Sequence, residues 1–139
     1  MADDCVFCKI INKELPAAIV YEDADHVAFL DQRPLFEGHT LVVPRRHIET
    51  LADLPGDAVG PFFALVQRLS VAIPKALDAT GTFVAMNNVV SQSVPHLHCH
   101  VVPRNFKDGL RGFFWPRTKY ADDASRDAVA ARIAAALAD

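Results

Sequence analysis

The stretch Pro95-His96-Leu97-His98-Cys99-His100-Val101-Val102-Pro103 decides the reading of this chain. Histidine and apolar residues alternate strictly through it, and a period of two marks a β-strand with one buried face. The spacing predicts a strand over Leu97–Val102. On such a strand His96, His98 and His100 share one face, each about 6.6–7 Å from the next. Leu97, Cys99 and Val101 then point the other way, into a core. An imidazole is a nucleophile when neutral and an acid when protonated. Phosphoryl chemistry uses both functions, together with donors that hold the phosphate oxygens. Three imidazoles in register therefore suit a phosphate site. Two other readings stay open here: a polar face in solvent, and a metal held by all three rings. The metal reading suits the pattern less, because ligands strung along one extended strand converge poorly on a tetrahedral ion.

Working outward, Phe83–Asn87 reads as a strand, as do Val20–Glu22, His26–Leu30 and Thr40–Val43, the last ended by Pro44. Gln32–Gly38, with Pro34 and Gly38, reads as a loop. A short helix is predicted over Cys5–Glu14, stopped before Pro16. A long central helix follows, with Asp57 as its cap and Val59, Phe62, Val66, Leu69 and Ile73 at three- and four-residue spacing. Pro74 is expected to kink or end it, because proline supplies no N–H and crowds the preceding turn. Asp108–Tyr120 is irregular and aromatic, and Asp123–Ala138 forms a C-terminal helix with Val129, Ile133 and Leu137 on one stripe. Together these elements predict an α+β fold with a mostly antiparallel sheet.

The chain has 139 residues, which suits one domain. Hydrophobic residues at 51% and charged residues at 22% fit a globule rather than a disordered tail. A net charge of −3 argues against non-specific nucleic-acid binding, which needs a broadly basic face. Charge is uneven, however: Arg104, Lys107, Arg111, Arg117 and Lys119 stand against Asp108 alone in that segment, a strip able to attract a phosphorylated small molecule. The start, MADDCVFCKI, is acidic without a long apolar run, so neither a secretory signal nor a membrane span is expected. Three cysteines, two of them in the Cys5-x-x-Cys8 spacing, point to metal or redox chemistry before structural disulfides. A cytoplasmic setting follows from that reading. Cys5 and Cys8 have the spacing of a zinc half-site, whose other two ligands must come from elsewhere.

His-Leu-His-Cys-His-Val-Val resembles the histidine triad motif of the HIT nucleotide hydrolases and transferases, of the zinc-bearing Hint-like bacterial type. The resemblance runs from Cys5 to about Arg104 and includes Cys5-Val-Phe-Cys8 through Pro16, Phe29-Leu-Asp31, Gly38-His39 through His47, and Gln92-Ser93-Val94-Pro95. It implies one HIT-like domain over residues 1–139, with 105–139 as a C-terminal extension. It also implies that His98 attacks an α-phosphate and forms a nucleotidyl-histidine, with His100 and His39 contacting phosphate oxygens or tuning protonation. Gln92 and Ser93 match residues that bond phosphate or leaving-group atoms. Asp31 matches the acid that accepts the ribose hydroxyls, and Phe7, Ile10, Leu15 and Phe29 match the slot for a purine base. The zinc ligands carried over are Cys5, Cys8, His47 and His96, a closed, structural set. A homodimer is implied as well.

Family members carry a longer, glycine-rich loop before the Gln-Ser pair, whereas Asn87-Asn88-Val89-Val90-Ser91 has no glycine. Asn87 or Asn88 is expected to contact phosphate or leaving group. Arg111, Trp115 and Arg117 are expected to line the leaving-group side. The leading reading is thus an enzyme cleaving a purine nucleoside phosphoramidate or dinucleoside polyphosphate. Its rival is a non-catalytic module that binds a purine nucleotide and signals through a partner.

Overall fold

The computed structural model describes residues 2–111 and 117–138. They fall into two compact units, residues 1–108 and 109–139. Trp115 lies outside the described residues.

The first unit is built on a five-stranded, wholly antiparallel sheet. Its strands are β1 (Ile19–Glu22), β2 (His26–Leu30), β3 (Thr40–Pro44), β4 (Gly81–Ala85) and β5 (Cys99–Arg104), in the order β1-β2-β3-β5-β4. A short helix, α1 (Val6–Ile11), precedes the sheet, and a long one, α2 (Gly56–Leu77), connects β3 toward β4. The fold is α+β, as the strand and helix periods predict.

Alternation along the strands gives the sheet two dry faces. Ala28, Val42, Cys99 and Val101 turn toward α2 and join Phe62, Leu65, Val66, Leu69 and Ile73 in one core. Val27, Phe29, Leu41 and Val43 turn the other way and pack against Phe7, Cys8, Ile10 and Ile11 of α1. Val42 lies opposite Cys99, and Leu41 opposite His100, so His100 belongs to the α1 face. The register therefore assigns the two kinds of side chain in the triad strand to opposite sides of the sheet. Leu97, Cys99 and Val101 are completely buried in the α2 core.

Several boundaries differ from the sequence reading. Helix α1 stops at Ile11 rather than Glu14, because Lys13 adopts a left-handed conformation (φ 65°) and the Glu14 N–H turns back to the Lys9 carbonyl at 2.8 Å. Helix α2 starts at Gly56 after Pro55, so Asp57 lies in its first turn and does not cap it; there it still complements the helix dipole. Val59 is 37% exposed, and the buried stripe begins at Phe62 and includes Leu65. Pro74 does not end α2. It removes one N–H near the end of the helix, while the buried Ile73 holds that turn in place, and the chain leaves the helix at Asp78 (φ 54°). β4 ends at Ala85, before Asn87, and β5 starts at Cys99, so His96, in a bend, and His98 lie in the approach to the strand.

In the second unit, α3 (Asp123–Ala138) has no buried residue, and Ile133 and Leu137 of its expected stripe are 60% and 82% exposed. Residues 108–111 and 117–120 form neither helix nor strand. No helix among the described residues is long and apolar enough to cross a membrane.

Candidate functional site

The α1 face of the sheet collects the chemistry. His98 is buried beside Phe7, whose ring edge meets the imidazole at 5.0 Å between centroids and 80° between planes. The His98 Nδ1–H donates to the backbone carbonyl of His96 at 2.7 Å. A carbonyl only accepts, so this bond places the proton on Nδ1 and the lone pair on Nε2. Among the described residues that Nε2 has no hydrogen-bond partner, and it is not among the polar atoms sealed from solvent.

A second set of bonds fixes the neighbouring rings. The Leu35 backbone N–H donates to His39 Nδ1 at 3.0 Å. His39 must then carry its proton on Nε2, which lies 2.9 Å from His100 Nδ1 and donates to it. His100 in turn keeps its N–H on Nε2. Asp31 Oδ2 lies 3.6 Å from His39 Nε2 and completes the group. These three ligand-type side chains lie within 4.8 Å of one another. However, the Leu35 N–H occupies the lone pair of His39 Nδ1 and leaves Nε2 protonated, so the arrangement is a hydrogen-bond relay rather than a cation cage.

Burial, then the neighbouring His98 and His39, hold His100 down at about 4. Burial also lowers His39, partly opposed by Asp31. The unfolded chain therefore takes up a proton on His100 between about pH 6.5 and 4 that the folded chain does not, and the lowered His39 acts in the same direction. Stability is full above that window and falls as pH drops through it. Urea unfolding across this range is expected to show the midpoint falling with pH. His100→Asn should make the slope shallower without removing it, because burial lowers His39 and His96 as well.

A cleft of about 810 Å³ adjoins this group through Phe7, which packs on His98, and Asp31, which faces His39; the imidazoles themselves do not line it. Its walls include Phe7, Ile10, Leu15, Phe29, Asp31 and Ser93. A volume of this size accommodates a nucleoside-sized ligand. Ile10 and Phe29 serve the core as well, being 5% and 3% exposed. Gln92 is held by its own amide, with Nε2 donating to the Glu49 carbonyl at 2.6 Å and Oε1 accepting from the Val89 N–H at 3.0 Å. Asn88 accepts from the Leu51 N–H at 2.8 Å, which ties down its side-chain oxygen, and Asn87 is exposed. The loop without glycine reaches its shape by placing Val89 and Ser91 at φ 70° and 62°. These are positions where glycine is normally favoured, and each costs about 1–2 kcal/mol.

Behind the cleft, Cys5, Cys8, His47 and His96 converge, with their ligand atoms within 4.8 Å of one another. His96 Nε2–H donates to the Pro44 carbonyl at 2.8 Å, leaving Nδ1 to face Cys5 Sγ at 3.4 Å and Cys8 Sγ at 3.5 Å. His47 Nδ1 lies 3.3 Å from Cys8 Sγ. A tetrahedron with ordinary zinc–sulfur and zinc–nitrogen bonds has sulfur–nitrogen edges of about 3.5 Å, so the donor set fits that ion. The Pro44 carbonyl supplies the outer hydrogen bond that usually orients a ligating imidazole. Burial first, and then Cys5, push the Cys8 thiol up to about 11, a cost that a divalent cation would offset by converting it to thiolate.

Residues 12–107 match the model of the HIT domain. The chain belongs to the HIT family. It is 45% identical over 107 residues to an uncharacterized HIT-like protein of Methanocaldococcus jannaschii, covering 76% of this chain and 82% of that one. An adenosine 5′-monophosphoramidase of Saccharomyces cerevisiae is 36% identical over 76% of this chain and 66% of its own length. Among solved structures, a zinc-bound histidine triad family protein from Mycobacterium smegmatis superposes with a TM-score of 0.75 at 36% identity, covering 97% of this chain and 99% of that one.

The HIT motif thus divides between two centres. His98 and His100 group with His39 and Asp31, the last of which lines the cleft, while His96 turns to the cysteines and His47. The groups that sequence reasoning missed are all backbone: the Leu35 N–H and the carbonyls of His96, Pro44 and Glu49. Side-chain identity carries no signal for them.

Proposed function

We propose that this HIT protein is a nucleotide hydrolase or transferase that cleaves at the α-phosphate of a purine nucleoside phosphoramidate or dinucleoside polyphosphate through a nucleotidyl-His98 intermediate. The observation that carries this reading is the His98 Nδ1–H bond to the His96 carbonyl, which leaves a lone pair on Nε2 of a ring packed against Phe7, a wall of the cleft. The name of the yeast relative supports the substrate class.

In this mechanism the base lies along Phe7, Ile10, Leu15 and Phe29, and the Asp31 carboxylate accepts the ribose hydroxyls. His98 Nε2 attacks phosphorus. As the N–P bond forms, the bond to the leaving group breaks and its electron pair departs with that group. His100, held neutral at pH 7 by burial, donates its Nε2–H to a phosphate oxygen as negative charge develops. Ser93, a wall of the cleft, and Gln92 are the residues assigned to the leaving group. Water or another acceptor then attacks the nucleotidyl-histidine, the N–P bond breaks, and His98 is restored. The homodimer that the resemblance implies, and the cytoplasmic setting read from the acidic start and the cysteine spacing, belong to the same proposal.

Incubation with adenosine phosphoramidate and with diadenosine polyphosphates, each with and without inorganic phosphate, tests the reading. Turnover of at least one is expected. Tight AMP binding without turnover of any would favour the regulatory binding module instead.

Cys5, Cys8, His47 and His96 would hold a zinc ion, whose role when bound is structural: it ties α1 to the approach to β5. Protein purified without added zinc is expected to carry one zinc per chain by metal analysis, and Cys8→Ser should lose it. Substoichiometric metal left unchanged by the substitution would rule out the site.

A further inference from the structure

We propose that the four-ligand centre also aims the nucleophile, with His96 and Phe7 as positioning residues that act on the His98 ring. The inference rests on the reading of His98 as nucleophile.

Two routes run from the centre to that ring. The first passes through His96. Its imidazole is held on both sides, by the Pro44 carbonyl at Nε2 and by the two sulfurs at Nδ1. The carbonyl of this same residue receives the His98 Nδ1–H. Residues 96–98 precede the first ladder residue, Cys99, so no strand pairing fixes that carbonyl. Backbone anchors here are the His96 N–H to Val94 and the Leu97 N–H to Ile48. The Leu97 N–H shares a peptide plane with the His96 carbonyl, so its bond to Ile48, the residue after His47, and the ring anchors of His96 together set where that carbonyl points; both run to ligands of the centre.

The second route passes through α1, which has six residues and is too short to hold itself together. Cys5 caps it, accepting the Cys8 N–H on Sγ at 3.4 Å, and Cys8 lies one turn on. Phe7 stands between these two ligands and sets its ring against His98. A cation joining Cys5, Cys8 and His96 would lock both routes to one point. Without it, the His98 ring keeps its place in the chain but loses the partner that selects its tautomer, and the lone pair is divided between Nδ1 and Nε2.

The test compares zinc-loaded protein with the same protein stripped by chelator, and then reloaded. Three quantities are read at one mildly alkaline pH: the ¹⁵N chemical shifts of the His98 ring, kcat, and the Kd for AMP. Loaded protein should show a single Nδ1–H tautomer, and stripped protein a mixture. Displacement of a reacting group by about 1 Å costs about 10²-fold. On that basis kcat should fall by about 10²-fold on stripping and return on reloading, with AMP affinity changing less than about threefold. Stripped protein with one His98 tautomer and full turnover would overturn the proposal. So would stripped protein that has lost its far-UV circular dichroism, since the centre would then support the fold as a whole. Loaded protein with no turnover on any substrate would instead remove the nucleophile reading, and the ring shifts would still decide whether the centre aims His98.

Discussion

His98→Asn is expected to lower kcat by about 10⁴-fold or more while AMP still binds, because a nucleophile cannot be replaced by the groups around it. Asparagine is the informative replacement, since its amide N–H can keep the bond that Nδ1 makes to the His96 carbonyl. The backbone of the site then stays in place, and the lost group is the Nε2 lone pair. His100→Asn should cost less, about 10²–10³-fold, as expected for a hydrogen-bond donor to developing charge. Single-turnover kinetics and AMP titration of the zinc-loaded proteins check both. Retention of more than about a hundredth of the activity by His98→Asn would move the nucleophile elsewhere.

Phe62→Ala is expected to destabilise the protein by about 3–5 kcal/mol, lowering Tm by about 10–20 °C. Phe62 is fully buried at the centre of the α2 core, and its ring meets those of His26 and Phe63 at 6.0 and 5.4 Å. The surrounding strand residues, Val42, Cys99 and Val101, are held in the sheet and have little room to collapse into the cavity. Val71→Ala on the same helix makes the control, because Val71 is 66% exposed and its loss should cost less than about 0.5 kcal/mol. Thermal unfolding of the two variants side by side gives the answer. Equal effects would mean that α2 does not bury the face described.

The fold was largely legible because its signals are periodic. Alternation from Leu97 to Val101 predicted one inward face, and the sheet buries those residues against α2. The errors fall where backbone conformation overrides residue preference. Lys13 and Asp78 adopt left-handed geometry that their identities do not announce. Pro74, a strong breaker in isolation, is carried through by the burial of Ile73 beside it. Strand limits shifted at β4 and β5 because pairing, rather than composition, sets where a ladder starts.

The candidate site was legible as a set of residues and not as an arrangement. The alternation of His96, His98 and His100 suggests three equivalent rings. The structure gives the first to the cysteines and His47, and leaves the other two together beside His39 and Asp31. What separates their roles is the hydrogen bond made by the second nitrogen of each ring. Those partners are the Pro44 carbonyl for His96, the His96 carbonyl for His98, and His39 for His100. Two of the three are main-chain atoms, which a sequence does not place.

Covalent capture tests the central claim most directly. Protein mixed with adenosine phosphoramidate, quenched in alkali within a single turnover and digested, should yield a peptide bearing one adenylyl group on His98 by mass spectrometry. Turnover that proceeds with no adduct at any time, or with the adduct on His100 or another side chain, would contradict the account.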